Sequence, residues 1–166
     1  MSSFEGLWRE GVCRVQLAFA GLDGPGRREA ERLCRLLVAR KEAMQELVAR
    51  VDASAHCAGC GGACCVTGKY HFSAVDLLAY LATGRELFEP SFDNGLCPYL
   101  SSDGCLMPPG YRPFNCITFN CERIEDQLSK DEVALFYDSE RELRETYARI
   151  RALFPGRSGD GPLLKD

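Results

Sequence analysis

The stretch R-R-E-A-E-R-L-C-R-L-L-V-A-R-K-E-A-M-Q-E-L-V-A-R-V, residues 27–51, decides the class of fold. Leu33, Leu37, Met44, Leu47, Val48 and Val51 fall near one face, with arginines and glutamates filling the other. That is the pattern of a helix with one buried stripe. Cys34 sits beside the stripe. A solitary cysteine on a helix behaves as a small hydrophobe, so it is expected in the core. Working toward the C-terminus, F-S-A-V-D-L-L-A-Y-L-A-T-G offers Ser73 as an N-cap, Asp76 near the positive end of the helix dipole and Gly84 as a C-cap. Ser129 and Glu132 then form an S-x-x-E capping box before a long amphipathic helix expected over residues 129–154. Its stripe is Phe136, Leu143 and Ile150 with Val133, Tyr147 and Phe154 alongside, and Pro155-Gly156 stops it. The repeat is too short for a dimerising coiled coil, so this helix is read as core-facing. The fold is therefore expected to be mainly α.

The flanks are harder to read. Cys13, Val15, Leu17 and Phe19 alternate with Arg14, Gln16 and Ala18, a strand-like period, and a short helix packed on the core fits equally well. Cys13, like Cys34, is expected in the core. The run G-L-D-G-P-G, residues 21–26, breaks whatever precedes it. The last ten residues, 157–166, are polar and read as a flexible tail.

A chain of 166 residues suits one small domain. We divide it into an N-terminal segment with its long helix (1–55), a cysteine-rich region (56–123) and the C-terminal helix (129–154), together one domain over 1–156. The net charge of -4 and a pI near 5.3 exclude a sequence-independent nucleic-acid binder, which needs a basic stripe. No apolar run is long enough to span a bilayer. The N-terminus M-S-S-F-E-G-L-W-R-E has no basic region followed by an apolar run, so the expected compartment is the cytoplasm.

That compartment governs the cysteines, eight of ten of which lie between Cys57 and Cys121. C-A-G-C-G-G-A-C-C carries Cys57, Cys60, Cys64 and Cys65; C-P-Y-L-S-S-D-G-C carries Cys97 and Cys105; R-P-F-N-C-I-T-F-N-C carries Cys116 and Cys121. Cytosolic disulfides are rare, so clustered cysteines there are ligands or redox thiols more often than staples. A C-x-x-C pair puts two thiolates on one metal from a single tight turn, and the other segments supply further corners. All eight are candidate metal ligands. Residues 85–122 hold five of the eight prolines and little periodicity. A loop of that length needs something besides secondary structure to order it, and a metal would serve. The expected architecture is helices flanking an irregular, metal-organised loop region. Adjacent Cys64 and Cys65 are awkward ligands for one metal and natural ligands for two centres, or for one centre plus a packing role, because neighbouring side chains diverge.

The order Cys57-x2-Cys60-x3-Cys64-Cys65, then Cys97-Pro98-Tyr99-Leu100, Gly104-Cys105 and Arg112-Pro113-x2-Cys116-x4-Cys121, resembles the CxxCxxxCC (YkgJ-like) cysteine-cluster family. The resemblance covers residues 56–123 and includes Gly61 and Gly62. Ile117 departs from it, standing where the family usually shows a basic residue. The resemblance implies a chelated zinc or iron centre.

Both zinc and iron–sulfur sites take four cysteines, so counting does not separate them. Gly61-Gly62-Ala63 could bring backbone N–H groups close to inorganic sulfide, prolines flank several cysteines, and Tyr99, Tyr111, Phe114 and Phe119 interleave the ligands. These features favour an iron–sulfur cluster, of the [4Fe–4S] type, with zinc as the alternative. His56 reads as an exposed turn residue and His71 as structural. Glu31, Glu42 and Glu46 and the acids after Asp131 fall at spacings that pair with Arg and Lys along a helix. No catalytic triad, phosphate loop or H-E-x-x-H is present. The leading expectation is an iron–sulfur protein in electron transfer or metal and cluster delivery, working with a protein partner. An iron–sulfur oxidoreductase is the enzymatic form of that reading. A zinc-stabilised interaction module is the second reading. A thiol redox protein using Cys57 and Cys60 is the third, without the βαβ surroundings such a pair normally has.

Overall fold

Ser3 and Asp23 open the first two helices alike: Gly6 N donates to Ser3 Oγ at 3.2 Å and Gly26 N donates to Asp23 Oδ1 at 2.7 Å. Such side-chain oxygens satisfy amides that have no partner inside the first turn. Helix α1 runs Phe4–Ala20 and α2 runs Gly24–Ala49. The structure, a computed structural model, describes residues 3–52, 68–92, 97–102, 104–154, 156, 159 and 161–164. It is a small, mainly helical domain, and among the described residues no helix is long and apolar enough to cross a membrane.

The strand-like alternation around Cys13 belongs to a helix. Trp8, Gly11, Val15 and Phe19 are the buried face of α1, spaced by three and four. Residues two apart on a helix diverge by roughly 200°, so Cys13 and Leu17 face away from Val15 and Phe19. Both are exposed, Leu17 at 69%. Cys13 is therefore not a core residue. The G-L-D-G-P-G run does end α1, and its last three residues, Gly24, Pro25 and Gly26, form the first turn of α2, where proline's fixed φ suits a helix start.

Cys34, by contrast, is fully buried in α2. Desolvation pushes its thiol from 9.0 up to about 12, against the opposing pull of Lys41 and Arg35. Its folded-state value lies above the unfolded one. Its contribution to stability is therefore complete below pH 9 and disappears as the pH rises toward 12. Urea melts are expected to show stability falling across that window, and a Cys34→Ala variant should lose less of its own stability there. Parallel curves for the two proteins would disprove the assignment.

Helix α3, Ala74–Thr83, starts at the expected N-cap Ser73, which with Asp76 forms a full capping box, and Gly84 closes it at φ +68°, a left-handed conformation that glycine adopts without steric cost. Every residue from Ala74 to Tyr80 is buried, so α3 is the central helix, packed on α1 and α2. Helix α6, Lys130–Arg151, begins at the predicted Ser129–Glu132 capping box and buries Phe136, Leu143, Tyr147 and Ile150 against α2. It ends at Arg151, ahead of the Pro155-Gly156 stop.

Between α3 and α6 the chain is more regular than its prolines suggest. Strands β1 (Leu100–Ser101) and β2 (Gly104–Cys105) pair antiparallel, with Leu100 opposite Cys105. A 3-10 turn at Pro109–Tyr111 and short helices α4 (Phe114–Thr118) and α5 (Glu122–Glu125) follow. Much of the order comes from aromatic packing. Tyr99 meets Phe72 and Phe88 at centroid distances of 5.6 and 5.4 Å, and Trp8 meets Phe72 at 5.5 Å. Offset and edge-on ring pairs at such spacing add to the area they bury.

The expected flexible tail needs correction. Leu163 and Leu164 are buried, Leu163 N donates to Phe72 O at 2.7 Å, and Ser73 pairs with Pro162 as an isolated bridge. Gly11 makes this docking possible, since a Cβ there would lie 2.8 Å from Leu163 Cγ. Two leucines in a polar run are enough when α1 leaves a glycine-lined seat for them.

Candidate metal centre

Four of the eight candidate ligands, Cys57, Cys60, Cys64 and Cys65, lie outside the described residues, as does His56. Cys97, Cys105, Cys116 and Cys121 are described, and none of them is in a disulfide. Cys97 and Cys116 adjoin the segment at residues 68–73, which follows the first cysteine block in sequence and leads into α3.

Gly68 begins that segment in a 3-10 turn, and His71 N donates to Gly68 O at 3.0 Å. Cys97 is buried with its thiol pressed on this turn: a Cβ on Gly68 would stand 2.7 Å from Cys97 Sγ. Tyr99 locks the same junction by donating its hydroxyl to Lys69 O at 3.0 Å. Desolvation raises the Cys97 thiol, with the nearby Cys105 adding to the rise and the Tyr99 amide opposing it. Cys105 stands exposed on β2. On the other side of the turn, the exposed Cys116 of α4 places Sγ 3.9 Å from His71 Nδ1. Partial burial lowers the His71 pKa, so the neutral ring, the form that ligates metals, is favoured. Burial raises the Tyr99 hydroxyl, and Cys97, Asp76 and Cys116 add to the rise. Cys121, half-buried, stands at the N-cap position of α5 without a side-chain capping bond and packs on the core.

Behind Tyr99 lies a polar node that the sequence reading missed. Lys41 and Asp76 are buried, at 0% and 1% side-chain exposure, and Lys41 Nζ donates to Asp76 Oδ1 at 2.8 Å. Lys41 Nζ also donates to Arg112 O at 2.7 Å. Tyr147 OH donates to Asp76 Oδ1. Ser73 N and Ser73 Oγ donate to Asp76 Oδ2 at 2.9 and 2.6 Å. The carboxylate is satisfied on both oxygens, the condition under which a buried charge is tolerated. A sequence signal for it exists: Lys41 continues the Leu33, Leu37, Met44, Val48 stripe of α2, so a lysine occupies a core position.

Among the described residues, no three His, Cys, Asp or Glu side chains come together as a metal-holding group. The donor chemistry nonetheless fits zinc or iron. Thiols from two separate segments, with an imidazole beside one of them, border the exit of a third cysteine-bearing segment. Comparison with known protein families, curated proteins and solved structures finds no match to this chain.

Proposed function

We propose that this chain is a cysteine-ligated metal protein, an iron–sulfur protein acting in electron transfer or in delivery of metal or clusters to a protein partner. One observation carries the reading: Cys97 Sγ and Cys116 Sγ both adjoin the turn that leaves the first cysteine block, the former against Gly68 and the latter beside His71. In a single reducing compartment that gathering favours ligation over disulfides. The likeness to the CxxCxxxCC family supports the same ligand set: Cys57, Cys60, Cys64, Cys65, Cys97, Cys105, Cys116 and Cys121. Four thiolates hold one [4Fe–4S] cluster, and the cluster would supply one-electron chemistry. The cytoplasm is the compartment this chemistry suits.

Zinc is the second reading, favoured by His71 Nδ1 beside Cys116 Sγ, since mixed Cys/His sets are common at structural zinc sites. Anaerobic purification followed by iron, zinc and acid-labile sulfide analysis separates the readings. A brown protein carrying iron and sulfide, bleached by air, is expected. Colourless protein retaining zinc would establish the second reading. Metal-free folded protein that reduces disulfides would reject both.

A further inference from the structure

The Lys41–Asp76–Tyr147 node touches both arms of the candidate centre. Through Asp76 it holds Ser73, two residues beyond His71. Through Lys41 it holds the Arg112 carbonyl, which opens the Arg112–Cys116 arm. These are the two segments that bring His71 Nδ1 to 3.9 Å from Cys116 Sγ. The node also reaches the thiol more directly. Tyr147 stacks edge-on against Phe114 at 5.4 Å, two residues before Cys116. A buried ion pair is seldom a large net source of stability compared with apolar side chains of the same size. What it does supply is direction: a lysine with one carbonyl and one carboxylate to serve permits a single placement of both.

We propose that Lys41, Asp76 and Tyr147 are positioning residues for the cysteine centre, holding the His71–Ser73 and Arg112–Cys116 arms in register before any metal arrives. This role rests on the metal-binding reading for its purpose. The register itself is a property of the metal-free chain. Loss of the Lys41 ammonium frees the Arg112 carbonyl that opens the Arg112–Cys116 arm, and loss of the Tyr147 hydroxyl loosens that hold through Asp76, whose Oδ1 it shares with Lys41, while the helices that carry them remain packed through Leu33, Leu37, Phe136 and Leu143. Outer-shell partners that orient metal ligands commonly change affinity by about 10–100-fold when removed.

The test uses the full chain, first reduced and metal-free. Iodoacetamide labelling of Cys116 is read by peptide mass spectrometry against Cys13, exposed on α1 and remote in sequence, as internal standard. Cys116 is already exposed, so the labelling reads its setting beside His71: Tyr147→Phe and Lys41→Met are expected to shift the Cys116-to-Cys13 rate ratio away from the wild-type value. Leu143→Ala, which loosens α6 without touching the node, should leave the ratio unchanged and controls for a general loss of stability. Cobalt(II) titration, followed by thiolate-to-metal absorption, should then show about tenfold weaker binding for Tyr147→Phe. Should Lys41→Met fail to fold, Tyr147→Phe, which removes a single oxygen, carries the test. Equal labelling ratios in wild type and Tyr147→Phe overturn the proposal, as does a shift in Leu143→Ala as large as in Tyr147→Phe. Wild-type protein that takes up neither cobalt nor iron defeats the metal reading instead, while the labelling ratios still decide whether the node positions Cys116.

Discussion

Replacing Lys41 by methionine is expected to lower the stability of this protein by about 3–5 kcal/mol, the usual loss when one partner of a buried ion pair is removed. Methionine matches the length and packing of the lysine stem, so little of the loss comes from a cavity. The loss comes from Asp76, left at 1% exposure with its anion unpaired, and from the Arg112 carbonyl, left without its donor. Asp76→Leu is expected to be costly too, because it orphans the lysine and removes the N3 half of the α3 capping box. The double variant Lys41→Met, Asp76→Leu should be considerably less destabilised than the sum of the singles, since neither charge is then abandoned. Urea denaturation of the four proteins completes the cycle. Additive losses would mean that the two groups do not act as a pair. A Lys41→Met loss below about 1 kcal/mol would mean that the remaining charge finds water.

Gly68→Ala is expected to disable the candidate centre while leaving the helical body standing. The added methyl would come within 2.7 Å of Cys97 Sγ and 3.3 Å of Cys97 Cβ, closer than side chains tolerate. Cys97 cannot retreat inward, because it is flanked by Tyr99, whose ring is locked against Phe72 and Phe88. Its thiol must therefore rotate away from the turn. The expected readout is loss of about one order of magnitude or more in cobalt(II) or zinc affinity, by analogy with displaced ligands elsewhere. The far-UV circular dichroism should be unchanged, since α1, α2, α3 and α6 do not touch the new methyl. Wild-type metal content in Gly68→Ala would remove Cys97 from the ligand set.

Both predictions draw on contacts of very different legibility. The α2 stripe, the Ser73 N-cap, the Ser129–Glu132 capping box and the Gly84 C-cap can be read directly, because each is settled within one or two helical turns. Burial of Cys34 follows from the same period. Cys13 misled because two residues of the α1 buried face, Val15 and Phe19, also fit an alternating pattern; the face is resolved only once Trp8 and Gly11 are included. The tail was misread because the seat for Leu163 is a glycine on α1, more than a hundred positions away, and no local property of residues 161–164 announces it. Of the candidate ligands, residue types and spacing name all eight, while only the folded chain distinguishes the buried Cys97 from the exposed Cys105 and Cys116.

By itself, then, the sequence determined the capped starts of α3 and α6 and the stripes that α2 and α6 bury. These depend on hydrogen bonds and side-chain periods spanning three or four residues. Tertiary structure alone decided that Lys41 meets Asp76 across 35 positions and the Arg112 carbonyl across 71, and that Tyr147 closes the group from α6. A lysine in an apolar stripe signals only that some anion must be found. Which one is chosen depends on how α2, α3 and α6 pack, because in a buried site a charge is stable only where donors and acceptors from separate helices meet at hydrogen-bond distance.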